Sequence, residues 1–96
     1  MRQEITVKAN AHEDLKPLVA AAIRNQLVVL QRDIESSSKR IEVFERESGM
    51  ASAEFERKMA ANEIEDTLDA LNWMMELASL RLLQGKYKSL CEAEIS

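Results

Sequence analysis

The chain is 96 residues long with a mass of 10.9 kDa, room for one domain and too little for two with separate cores. Two glycines and one proline exclude a hairpin-rich fold or a glycine-rich phosphate loop, and a single cysteine, Cys91, excludes an intrachain disulfide or a cysteine-built zinc site. The net charge of −4 is unevenly spread: residues 1–32 carry five bases against three acids, whereas residues 33–76 carry twelve acids against five bases. An acidic middle repels a phosphate backbone and favours a basic protein partner over nucleic acid.

In chain order, residues 4–9 alternate Ile5, Val7 and Ala9 with Glu4, Thr6 and Lys8, which predicts a short strand or extended arm over 1–12 that needs a second chain to pair with. A helix start follows, capped by Asn10 with Glu13 or by Asp14; Pro17 favours Asp14, because proline's missing N–H is harmless in a first turn. The first helix is expected over 13–48, closed by Gly49. Along it Ile23, Leu27, Leu30, Ile34, Ser37, Ile41 and Phe44 recur at alternating steps of four and three, a seam that asks for a partner helix. Ser37 makes the middle of that seam its weak point, open to a bend or a water pocket. Glu35 with Lys39, and Glu42 with Arg46, are spaced to pair on its exposed face.

Ser52 is expected to cap a short second helix over 52–62, with Phe55 and Met59 inward and Glu54 paired to Lys58. A third helix is expected over 65–92, with Leu68, Leu71, Met75, Ala78 and Leu82 as its seam and Trp73, Leu77, Leu80 and Tyr87 as a second stripe. The reading is therefore all-α: a long, a short and a third helix in an antiparallel hairpin or bundle, with an extended N-terminal arm. The apolar stripes exceed what one protomer can bury, so a homodimer joined partly through the first helix is expected. The longest apolar run, Leu18 to Ile23, is far short of the roughly eighteen residues a membrane span needs, and no signal-peptide pattern opens the chain. With a free thiol, the expected setting is the cytoplasm and no membrane.

Catalysis is poorly provisioned. His12 is the lone histidine and has no nucleophile at a predictable distance, and Cys91 lies beside Glu92, which disfavours its thiolate. Glu42, Glu45 and Glu47, with Glu63, Asp66 and Asp69, could hold magnesium if two antiparallel helices brought them together. That arrangement is similar to the all-α nucleotide pyrophosphatases, but only Glu63-Ile64-Glu65-Asp66 fits half of their motif. No enzyme activity and no cofactor are expected.

The segment Phe44-Glu45-Arg46-Glu47-Ser48-Gly49-Met50-Ala51-Ser52-Ala53-Glu54-Phe55 resembles the FEKKYGMSSEEF block of a family of small helical antitoxins encoded beside compact toxin genes. Asn62-Glu63-Ile64-Glu65-Asp66 and Trp73 stand where that family has a GELGDD-like segment and a tryptophan, with Asn62 in place of the usual glycine and Ser48 in place of a tyrosine. Upstream, Ile5-Thr6-Val7 and Glu13-Asp14-Leu15 resemble its strand and helix start. The resemblance implies an antitoxin that neutralises a cognate toxin, a basic nuclease being the partner that suits the acidic middle. Ile5, Val7, Glu63, Asp66, Asp69 and Trp73 are the candidate partner-binding residues, Trp73 being weighed against a place in the core. The alternatives are a homodimeric helical scaffold, the pyrophosphatase, and a ribbon-helix-helix DNA repressor, against which the long first helix argues.

Overall fold

The computed structural model describes the backbone of residues 2–95 and the side chains of residues 15–94. Three helices follow one another: α1 (Arg2–Ser48), α2 (Ser52–Ala60) and α3 (Leu68–Ile95). The protein is all-α, and α1 and α3 lie antiparallel. Ser37 and Arg40 meet Glu76 near the middle, Val43 and Phe44 lie by Asn72 and Met75 towards the connection, and Gln26 and Leu30 lie by Leu82 and Leu90 at the other end.

The helix starts earlier than its caps suggest. Residues 4–9 belong to α1, which replaces the expected extended arm and places Pro17 in the helix interior instead of its first turn. An isolated strand has no neighbour for its N–H and C=O groups, whereas a helix satisfies them within the segment, so six alternating residues do not outweigh continuation of the helix. The cost is local: Pro17 withholds a hydrogen bond from the Glu13 carbonyl. The side chains of Ile5, Val7 and His12 lie outside the described residues.

The core is a thin line between α1 and α3: Ile41 from α1, Ala70, Trp73 and Leu77 from α3 and Phe55 from α2 form one cluster, and Leu27 and Leu30 are buried farther along α1. On α3 the two expected stripes exchange roles. Trp73 and Leu77 are buried, while Leu68, Met75 and Leu82 stand 73%, 69% and 61% exposed. Heptad spacing marks an apolar stripe without saying which of two faces inward, and the stripe carrying the bulky indole, whose N–H finds a partner inside, takes the core.

Ser37 is a joint rather than a weak point. Its side chain is fully buried and its hydroxyl donates to Glu76 Oε2 at 2.7 Å, while Arg40 donates to both Glu76 oxygens at 2.9 and 3.1 Å. Among the described residues no buried side-chain polar atom lacks a partner. Of the expected pairs Glu35–Lys39, Glu42–Arg46 and Glu54–Lys58, only the last closes, at 4.0 Å; between helices, Arg40 pairs with Glu76 and Arg81 with Glu56.

The connections are closed by backbone chemistry. Gly49, at φ 70°, ends α1 as its position suggests, and its N–H and that of Met50 both reach the Glu45 carbonyl. Ala51, not Ser52, is the residue before α2, and it supplies no side-chain cap; the Glu45 carboxylate accepts the Ser52 N–H at 3.0 Å instead. Two residues beyond α2 the chain turns at Asn62, φ 59°, with the Glu63 N–H reaching back to the Lys58 carbonyl at 2.8 Å. α2 therefore stops at Ala60, short of the expected Asn62, and α3 begins at Leu68, where the Thr67 hydroxyl accepts the Ala70 N–H at 3.1 Å. No described helix is long and apolar enough to cross a membrane.

Two predictions follow from these joints. The hydrogen bond from Arg40, helped by Ser37, holds the Glu76 carboxyl below its ordinary pKa of 4.5 despite partial burial. A lowered folded-state pKa means the pairing stabilises the protein above the unfolded value and loses that contribution as the pH falls past 4.5 and through the lower folded value. Glu76→Ala should cost about 1–3 kcal/mol in urea denaturation at pH 7, because it orphans the buried Ser37 hydroxyl and removes the Arg40 pairing, and the part due to the pairing should shrink as the pH falls below 4.5. Asn62→Ala should cost about 1 kcal/mol through left-handed backbone strain, and Asn62→Gly nothing, both read from the same melts.

Candidate partner-binding site at the hairpin tip

Three of the chain's four aromatic residues meet where the helices turn. Phe55 and Trp73 stack with ring centroids 3.8 Å apart and planes 4° from parallel, and Phe44 stacks on Trp73 at 5.6 Å and 8°. One ring comes from each helix, so the stack fixes all three against one another. The Trp73 indole N–H donates to Ser52 Oγ at 3.1 Å, and the same Ser52 gives its backbone N–H to Glu45. Ser52 thus links α3 to α1 through the first residue of α2.

This stack is the floor of an open groove of about 240 Å³, completed by Met50, Ile64, Thr67 and Ala70 and rimmed by Glu47 and Asp69. Apolar bottom and carboxylate rim are matched to a lysine or arginine side chain, whose methylene stem packs on the rings while its charged head meets the acids. Beside the groove the 63–67 loop adds Glu63, Glu65 and Asp66. All five carboxylates are on exposed residues, and among the described residues none is in an ion pair. A basic partner would meet them without first breaking an internal bridge.

Of the sequence candidates, Asp69 and Trp73 come together at this groove, with Glu63 and Asp66 on the adjoining loop. Trp73 is 4% exposed and belongs to the core, so it serves as floor and not as a protruding anchor. Ile5 and Val7 cannot be placed, their side chains lying outside the described residues. Glu47 joins Asp69 among the residues lining the groove; the sequence shows it only as one acid among several at the end of α1, and its place there depends on the turn at Gly49. The carboxylate sets that magnesium would need do not converge; among the described residues no group of three or more His, Cys, Asp or Glu is placed to hold a metal ion. Near the far end of α3, Tyr87 has its pKa raised, chiefly by the charge of neighbouring Cys91.

Compared with protein-family models, curated proteins and solved structures, the chain matches none. The groove itself is therefore what bears on function. Trp73→Ala should cost about 3–5 kcal/mol and weaken the tip as a whole, whereas Trp73→Phe should keep the stack and lose only the hydrogen bond to Ser52 and part of the buried area. Thermal unfolding of the two variants followed by far-ultraviolet circular dichroism checks the order.

Proposed function

We propose that the protein is an antitoxin-like binding protein that holds a small basic partner inactive through the hairpin tip. The observation that carries this reading is the aromatic-floored, acid-rimmed groove, with Glu47 and Asp69 at its mouth and Glu63, Glu65 and Asp66 beside it. The antitoxin role itself rests on the likeness of the Phe44 to Phe55 segment and its flanks to that family. Inhibition then works by occupation: the partner inserts a basic side chain from its own functional surface, and the carboxylates stand where an anionic substrate would bind. Long-range attraction between the two surfaces speeds encounter, and the desolvated centre of the contact slows release.

A helical scaffold without a toxin is the competing reading, and the same groove separates the two. Co-expression with the product of the neighbouring gene should relieve growth arrest when the wild-type chain is present. The triple variant Glu63→Gln, Asp66→Asn, Asp69→Asn should fold normally and associate at least tenfold more slowly at low ionic strength, a deficit that shrinks as salt screens the wild type as well. Equal association rates for wild type and variant would remove the acidic tip from the mechanism. Absence of any complex with the wild type would remove the antitoxin reading, and magnesium-dependent release of pyrophosphate from nucleotides would replace it with an enzyme.

A further inference from the structure

The described protomer is too thin to be complete. Its accessible surface is 7405 Å², against about 5,600 Å² for a compact monomer of this mass. Its radius of gyration is 20.3 Å, against about 12.5 Å for a compact domain of this length. The excess surface per chain is in the range a stable homodimer buries. Exposed apolar side chains occur on both long helices, and on α3 they form one line, where Leu68, Leu71, Met75 and Leu82 are exposed in the same heptad register as exposed Ala78 and Gly85.

We propose that this stripe is covered by α3 of a second copy, running antiparallel about a two-fold axis between Glu76 and Leu77. Three observations select that occupant and that direction. The first is shape. Antiparallel pairing about this axis sets Leu68 against Gly85, Leu71 against Leu82 and Met75 against Ala78, so that long meets short in two of three layers. The second is the glycine itself. Gly85 sits in mid-helix, where glycine is a poor choice, and an added Cβ there would meet nothing within 4 Å, so nothing in the protomer calls for it. It lies instead in an open groove of about 530 Å³ with apolar walls at Leu30, Leu82 and Leu90 and polar edges at Gln26, Arg81, Lys86 and Ser89, a seat for the protruding Leu68 of the copy. The third is charge. Residues 63–76 hold five acids and no base, and residues 81–88 three bases and no acid. Antiparallel helices bring the acidic 63–69 end of each copy towards the basic 81–88 end of the other, and parallel helices would put like charges together.

The pairing leaves the tip groove open, because Asp69 on its rim is turned about 100° round the helix from Leu68, and it leaves Glu47 and Asp69 to a basic partner while the loop acids beside the groove lie towards the copy. It does not depend on the antitoxin reading, and each dimer would present two tips at opposite ends.

The test uses the full chain. Analytical ultracentrifugation should give twice the 10.9 kDa chain mass at micromolar concentration. Leu68→Glu and Gly85→Leu should each raise the dissociation constant at least tenfold, the first by losing the knob and the second by filling the seat. Lys86→Glu with Lys88→Glu should weaken the dimer, most at low salt, by setting like charges against the acidic end of the copy. With Cys91→Ala throughout, a mixture of Leu68→Cys and Gly85→Cys chains should oxidise to the mixed disulfide. A monomeric wild type overturns the proposal. So does preferential crosslinking of Leu68→Cys to itself, which reports a parallel pair, and so does a Gly85→Leu chain that dimerises as tightly as wild type, which keeps the test decisive even if the glutamate variant fails to fold.

Discussion

The stack of Phe44, Trp73 and Phe55 is the contact on which the rest of the protein depends. Two long helices joined by a short third have few ways to fix their relative rotation, because sliding or rolling one along the other exchanges similar aliphatic contacts. Flat rings at 3.8 Å separation tolerate little such motion, and the indole N–H can reach Ser52 in only one arrangement. Once the rings are seated, the Gly49 and Asn62 turns are set, the carboxylate of Glu45 falls on the start of α2, and Ser37 and Arg40 arrive opposite Glu76.

Burial is therefore concentrated where the chain turns and fades along the hairpin. Beyond Ile41 and Leu77 the shared core narrows to Leu30 and Leu27, and exposed Leu15, Leu18 and Val19 mark the far part of α1. The interhelix ion pairs, with Arg40 and Arg81 largely exposed, hold orientation more than they add stability. Such a molecule is densely packed at one end and leaves apolar side chains exposed along its length.

That division also assigns the charges different work. Glu56 and Glu76, paired with arginines across the helix boundary, have lowered pKa values and belong to the fold. Glu47, Glu63, Glu65, Asp66 and Asp69 are exposed in the single protomer at or near the groove, where their summed field acts outward. Neighbouring acids in sequence thus serve opposite purposes according to whether a base stands across from them.

Helical class, the number of helices, the Gly49 turn and the inward place of Phe55 were all legible in the sequence, because they follow from local propensity, breakers and periodicity, which act over a few residues. The acidic bias near residue 66 was legible too, since composition alone reports it. Tertiary structure decided what those rules leave degenerate. It chose which α3 stripe is buried, because both stripes obey helical spacing and only the indole's need for a partner separates them. Residues 4–9 are helical for a local reason that the alternation concealed, since a helix satisfies its backbone groups within the segment and a strand needs a neighbour. Tertiary structure turned Ser37 from a flaw into a joint by bringing Glu76 from 39 positions away, and it built the groove from Glu47 and Asp69, whose approach depends on the angle of two turns that no spacing in the sequence encodes.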